Sequence, residues 1–298
     1  MPELPDITVY TDALTERLTG QRLLNLRITS PFLVRTVSPS VDAARDLKVA
    51  EVRRLGKRIA IGFEDGTWWV IHLMIAGRLR WRDEEPRKPG RSVQALFVFE
   101  SGVLLLTEAG KRKRASIHVA KDEQALNRLN PGGLEVLECD EDAFAKALRA
   151  SNHTLKRALT DPRILSGIGN AYSDEILHRA KLSPVAMTQA LSDSEMSELF
   201  NATREVLTEW TERLQEQAKG EFPEKVTAFR PEMAVHGKFG EPCPVCDAAV
   251  QKISYAANET NYCPRCQTDG KMLADRALSQ LLKKDWPKSI DDWEEKFR

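Results

Sequence analysis

Two stretches of this 298-residue chain place reactive side chains at spacings that suit chemistry: the first six residues and a pair of cysteine knuckles near the end. The chain opens Met1-Pro2-Glu3-Leu4-Pro5-Asp6. Pro2 is small, so trimming of the initiator methionine is expected, and it leaves a secondary amine at the terminus. Once deprotonated, such an amine is a good Schiff-base nucleophile, and α-amino groups titrate at roughly 7.7–8.0. Glu3, next in the chain, can give or take a proton at the same reacting carbon. A Met-Pro start also has an inert reading, since many cytosolic chains carry one. Near the other end, Cys243-Pro244-Val245-Cys246 and Cys263-Pro264-Arg265-Cys266 stand sixteen residues apart. Two Cys-x-x-Cys knuckles at this spacing fit a closed, tetrahedral, structural zinc site with four thiolate ligands, and fit paired disulfides far less well.

A third feature lies between them. Gly167-Ile168-Gly169 precedes Asn170. Glycines on either side of one apolar residue allow sharp turns and close backbone approach, and Asn170 suits the N-cap of a following helix. Such a turn can cradle a phosphate or simply join two helices. Basic residues gather at Arg53, Arg54, Lys57 and Arg58 and again at Lys111-Arg112-Lys113-Arg114, whereas acids concentrate at Asp140-Glu141-Asp142 and Asp291-Asp292-Trp293-Glu294-Glu295. With 44 basic and 44 acidic residues the net charge is zero, so a polyanionic partner is suggested by the clusters and not by the total. No apolar run approaches the ~18 residues of a membrane span, and the start lacks a signal-peptide apolar region. A soluble, cytoplasmic protein without a membrane partner is expected.

These groups need elements to hold them. Ile7, Tyr10, Leu14 and Leu18 fall at helical spacing before Gly20, so the terminal amine lies near a helix start. The dipole there favours the neutral amine and the Glu3 carboxylate. Short strand-like runs follow: Leu24–Ile28, Ile59–Phe63, Trp68–Ile71, Ala95–Phe99 and Val103–Leu106, with hairpin turns at Asp65-Gly66 and Ser101-Gly102. They imply a β-sandwich or barrel behind an N-terminal helix. Helices are expected over Glu141–Ala150, from Asn152 to Asp161-Pro162, after Asn170, and over Met196–Gln217, with Leu199, Val206, Trp210 and Leu214 on one face. Cys139 is read as a buried structural thiol. Val250–Tyr262 suits a β-hairpin with its tip near Ala257-Asn258-Glu259. The expected class is multidomain α+β: a helix and β-sandwich (1–135), a helical domain (136–236), a zinc ribbon (237–270) and a C-terminal extension (271–298).

The opening hexapeptide, the Ile164–Pro184 segment and the ribbon, in that order, resemble the formamidopyrimidine-DNA glycosylase and endonuclease VIII family of base-excision repair enzymes over roughly residues 2–267. The resemblance implies a bifunctional glycosylase and abasic-site lyase, a monomer acting on double-stranded DNA that carries damaged bases or abasic sites. It makes Pro2 the nucleophile, Glu3 the acid–base partner and Lys57 a hairpin lysine that grips phosphate and assists catalysis. Residues 164–184 look like the family's helix–two-turn–helix, which implies that Lys156 and Asn170 hold phosphate and that Glu175 matches a glutamate near the active site. His72-Leu73-Met74-Ile75-Ala76-Gly77 is similar to the loop whose methionine fills the place of the extruded base. Here either Met74 or Ile75 could be that wedge, and His72 is either a DNA contact or a hydrogen-bonded histidine of the sandwich.

Three departures bear on substrate. Thr107–Arg114 keeps the charge of the family's third loop, in Lys111, Arg112, Lys113 and Arg114, but has no aromatic residue, which leaves phosphate contacts. The interval from Ala218 to Gly237 has little room for a base-capping loop. Asn258 stands where the family ribbon carries an arginine. Oxidised pyrimidines or ring-opened purines are therefore expected ahead of 8-oxoguanine. A competing reading is a non-catalytic binder of damaged or abasic DNA built on the same residues.

Overall fold

The computed structural model describes residues 1–255 and 258–297, apart from the side chains of Tyr255, Asn258, Arg276, Ala277, Leu278, Lys284 and Phe297. It divides into two compact units, the first formed by Met1–Pro131 with Trp210–Thr227 and the second by Gly132–Glu209 with Ala228–Arg298.

The first unit begins with α1 (Leu4–Leu18). Pro5 suits the first turn, where its missing N–H costs nothing. Glu3 and Asp6 form a reciprocal capping box, in which the Glu3 N–H donates to Asp6 Oδ2 at 2.9 Å. Ile7, Tyr10, Leu14 and Leu18 point into the core as their spacing requires. Eight strands follow: β1 (Leu23–Ile28), β2 (Val49–Leu55), β3 (Arg58–Phe63), β4 (Trp68–His72), β5 (Gly77–Arg82), β6 (Val93–Phe99), β7 (Gly102–Glu108) and β8 (Ser116–Ala120). They make two four-stranded antiparallel sheets, ordered β1-β6-β7-β5 and β2-β3-β4-β8. The inner faces meet around Trp69, Phe97, Ile61 and Leu104. The short α2 (Glu123–Asn127) ends this run. The alternation read at Leu24–Ile28 is broken by a bulge between Leu23 and Asn25, so Leu23 and Leu26 are buried and Leu24 is left outside.

Residues 219–227 are irregular but tied down. Val226 joins the core of the first unit, and Phe222 packs 5.9 Å from Tyr10 and 6.4 Å from Trp81, ring centre to ring centre. Arg17 Nη2 donates to Gly220 O at 2.9 Å, Arg78 Nε donates to Val226 O at 2.6 Å, and Glu224 pairs with Arg80 and Arg82.

The second unit holds α3 (Glu141–Arg149), α4 (Leu155–Thr160), α5 (Asn170–Arg179) and the first part of α6 (Asp193–Ala218). Asp140 caps α3 through the Ala143 N–H at 2.8 Å. Asn170 is the first residue of α5 and Gly169 its cap, which corrects the expectation that Asn170 itself would cap. Cys139 is half-buried, its thiol 3.6 Å from Val136 O. Beyond α6 come the hairpin strands β9 (Gln251–Tyr255) and β10 (Asn258–Tyr262), then α7 (Pro264–Gln267), α8 (Arg276–Leu282) and α9 (Ile290–Phe297). Their register pairs Asn258 with Tyr255; the expected tip residue Ala257 and the Asn258 side chain lie outside the described residues.

The extension is folded onto the ribbon. Ile290 is buried in the cluster formed by Val235, Cys243, Ala249 and Cys263, and Trp293 packs against it. Glu294 accepts from the Ala249 N–H at 3.1 Å and Asp275 from the Ser254 N–H at 2.6 Å.

Candidate functional site

In the first unit Met1 is half-buried and Pro2 and Glu3 are buried, and Glu3 is held by the capping box at the start of α1. Burial pushes the terminal amine below its usual value, the nearby Glu3 and Asp6 carboxylates oppose that shift, and the Arg78 and Lys57 charges add to it. Here the Met1 amine occupies the position beside the Pro2–Glu3 pair; after trimming, the Pro2 amine would inherit the neighbourhood.

Lys57 stands on the two-residue turn Gly56-Lys57 between β2 and β3, where Leu55 pairs directly with Arg58 and Gly56 takes φ 62°. Arg78 was not singled out from the sequence as a functional residue. Its charge on β5 acts on the amine, and its Nη1 donates to Ile75 O at 3.1 Å.

His72 ends β4, flanked across the sheet by Arg58 and Ser116. Burial lowers it to about 4, with further depression from Arg58, Lys57 and His118, so it is neutral at neutral pH. Its Nε2 is buried without a hydrogen-bond partner among the described residues. In the loop that follows, Leu73 is buried, Met74 takes φ 54° and is half-buried, and Ile75 is 59% exposed. Gly77 closes this loop because a Cβ there would lie 2.2 Å from Leu73 O, against backbone that cannot step aside. Gly77→Ala is expected to lower stability by about 1–3 kcal/mol through forced backbone displacement. A urea midpoint unchanged from the native chain would contradict this account of the loop.

The Lys111–Arg114 loop is drawn in by a residue the sequence did not mark. Glu108, buried at the end of β7, accepts from the Arg114 and Ala115 N–H groups at 2.8 and 3.2 Å, and Lys113 Nζ donates to its carbonyl. Lys111, Arg112 and Arg114 remain exposed, and Lys113 is half-buried.

In the second unit, Lys156 and Asn170 are brought together: Lys156 Nζ donates to Asn170 O at 2.8 Å and to Asp174 Oδ1 at 2.5 Å. Asp174 is wholly buried and is also met by His236 Nδ1 at 2.8 Å and Asn261 Nδ2 at 3.3 Å. Glu175 has a structural task here, since its carboxylate accepts the N–H groups of Ala234, Val235 and His236 at 2.8, 2.9 and 2.9 Å. Asp174 and His236 gave no sequence signal. The only mark of Asp174 was the helical spacing of polar groups along 170–178, easily taken for a solvated face.

The sulfurs of Cys243, Cys246, Cys263 and Cys266 lie within 4.8 Å of one another, with Sγ–Sγ distances of 3.4, 3.5 and 3.9 Å among them. A tetrahedron with Zn–S bonds of ~2.3 Å has edges of about 3.8 Å, so this cage fits one structural zinc with no open position.

Comparison with known proteins agrees with this layout. The formamidopyrimidine-DNA glycosylase N-terminal domain matches residues 1–116, the formamidopyrimidine-DNA glycosylase H2TH domain residues 134–219, and the zinc finger found in FPG and IleRS residues 240–268. The chain is 31% identical over 284 residues to the formamidopyrimidine-DNA glycosylase of Heliobacterium modesticaldum, spanning 90% of this chain and 100% of that one. It is 41% identical over 152 residues to an uncharacterised formamidopyrimidine-DNA glycosylase-like protein of Mycobacterium tuberculosis, covering 51% and 94% of the two chains. Among solved structures, the Lactococcus lactis glycosylase in complex with FAPY-dG-containing DNA superposes with a TM-score of 0.80 at 27% identity, over 89% of this chain and 100% of that one. The N-terminal, H2TH and zinc-finger matches follow one another along the chain as its sandwich, helical and ribbon parts do, and the chain belongs to the formamidopyrimidine-DNA glycosylase family.

Proposed function

We propose that this protein is a bifunctional DNA glycosylase and abasic-site lyase of base-excision repair, with Pro2 as nucleophile. The terminus carries the reading: the Met1 amine is depressed by burial and by the Arg78 and Lys57 charges. The Pro2 amine freed by trimming thus enters surroundings that favour a neutral, nucleophilic amine beside buried Glu3. Glu3 performs the acid–base step at the sugar while the Pro2 nitrogen bonds to C1′ and the glycosidic bond breaks. The sugar ring then opens: the C1′–O4′ bond breaks, O4′ takes a proton from Glu3, and the resulting iminium acidifies the C2′ proton. Its removal expels the 3′ phosphate by β-elimination and cuts the strand. Zinc holds the ribbon and stays outside the chemistry.

The partner is a duplex bearing a damaged base or abasic site, a reading supported by Lactococcus lactis relatives in complex with FAPY-dG-containing DNA and with abasic-site-containing DNA. Lys57, His72, Lys156, Asn170, Asn258 and the Lys111–Arg114 loop are assigned to phosphate. Neutral His72 fits this role as an N–H donor. Ile75, the exposed apolar side chain of its loop, is assigned as the wedge. Affinity should fall steeply with salt, and Lys57→Ala, Lys156→Ala or Lys111→Ala should each flatten the log–log slope by about one. A salt-independent affinity would contradict the assignment.

Ring-opened purines and oxidised pyrimidines are proposed as preferred bases. The 219–227 segment is engaged with Tyr10, Arg78 and Trp81, and the 107–114 loop offers charge without a ring, so neither supplies a cap or stack for 8-oxoguanine. Poorly stacked bases cost less of the few kcal/mol needed for flipping. Single-turnover excision on matched duplexes decides the point, and a fastest rate on 8-oxoguanine opposite cytosine would overturn it.

A further inference from the structure

Helix α5 places Asn170, Asp174 and His178 at four-residue intervals, one above another on the same face. Each of the last two reaches a different part of the segment that leads into and forms the ribbon. Asp174 meets His236 and Asn261, and the neighbouring Glu175 takes the backbone N–H groups of residues 234–236. His178 reaches the metal cage itself, with Nε2 3.3 Å from Cys243 Sγ and both side chains buried.

Direction follows from chemistry. A zinc-bound thiolate has no proton to give, so at this distance the imidazole N–H must be the donor. The need for a donor also follows. Four thiolates on one divalent zinc leave a net negative charge, and Cys243 and Cys263 have no exposed surface through which water could offset it. Cys263 Sγ is faced by the Cys266 N–H at 3.4 Å, and Cys246 by the Ala248 N–H. The corresponding donor for Cys243 is the His178 side chain, supplied from outside the ribbon by α5.

We propose that His178 is a positioning residue of the zinc site: its Nε2–H donates to the Cys243 thiolate, stabilises the charged cage and ties the metal to the helix that begins at Asn170. Donors of this kind around metal ligands typically change metal affinity by about 10–100-fold. The ring nitrogen is the working part, and the surrounding packing is not.

The test uses the full-length protein with His178→Phe, which keeps a ring but removes the donor, and His178→Gln, which keeps a side-chain N–H. Zinc transfer to a chromogenic chelator should be at least about tenfold faster in His178→Phe and intermediate in His178→Gln. In cobalt-loaded protein the sulfur-to-metal charge-transfer band should move to lower energy in His178→Phe, because a thiolate without a hydrogen bond gives up an electron more easily. It should return part of the way in His178→Gln. If the Phe variant does not fold, the Gln variant compared with the native chain still decides, since an amide is the weaker donor and both readouts must move in the same direction. Native release and an unmoved band in either folded variant, or equal loss in both, would overturn the proposal.

Discussion

Borohydride should cross-link this protein to a duplex carrying an abasic site, and a chain with an acetylated or extended N-terminus should give no cross-link. Pro2→Gly leaves a primary amine on a looser backbone and should reduce trapping strongly. Glu3→Gln should slow turnover by roughly 10²–10⁴, the usual contribution of a placed acid–base group. The pH dependence carries a definite sign. A depressed amine pKa keeps the nucleophile neutral to lower pH, so the trapping rate should fall only as pH drops through that lowered value, below the ordinary 8.0. Arg78 and Lys57 depress the amine, so Arg78→Gln should move the acid limb to higher pH; Glu3 raises it, so Glu3→Gln should move the limb lower. Equal trapping by the blocked chain would sink the proline mechanism, and tight abasic-site binding without any trapping would leave a non-catalytic binder.

Removing the metal should have the second large effect. Cys263→Ser, or exhaustive chelation, should unfold the ribbon and abolish tight DNA binding. The sulfur of Cys263 is both a ligand and the cap of α7, with no exposed surface. Structural zinc contributes apparent free energies of about 10–16 kcal/mol, as large as the whole net stability of a typical domain. The damage should spread to the extension, since Ile290 and Trp293 pack on the same cluster that contains Cys243 and Cys263. Loss of the circular-dichroism signal of α8 and α9 alongside metal release would register it. Purified protein that holds no zinc yet binds DNA tightly would refute the assignment.

Much of this was legible because it is local. A terminal Pro-Glu before helical spacing, two cysteine knuckles and a glycine turn before a helix each state their geometry within a few residues. The α1 capping box was already spelled by Glu3 and Asp6, although it was not read as one. What the sequence concealed is what depends on tertiary partners. Arg78 looked like one cation among many until β5 brought its charge to act on the amine, and Glu108 like a loop acid until it gathered the 114–115 backbone. Asp174 and His178 sit on a helix whose composition reads as half polar. The segment 234–243 coming alongside, together with Lys156 and Asn261, makes burial of that face tolerable by giving each acid and the imidazole a partner. The strands at Val49–Leu55 and Gly77–Arg82 were missed for a similar reason: interleaved arginines hid strands whose buried residues are Val49, Val52, Leu55, Gly77 and Leu79.

The engagement of residues 219–227 with the first unit has a consequence for how the chain is made. Val226 belongs to the same core as Tyr10 and Leu79, and Phe222 covers Tyr10 and Trp81, yet both emerge from the ribosome long after residue 131. At about 5–20 residues per second, the interval between those two points is roughly five to twenty seconds. Throughout it, the nascent N-terminal unit lacks the residues that complete its core, and the surroundings of the terminal amine lack the Val226 carbonyl that orients Arg78. Pro2, among the first residues synthesised, thus waits for residues 222–226 before the core beneath α1 and the contact that holds Arg78 are complete.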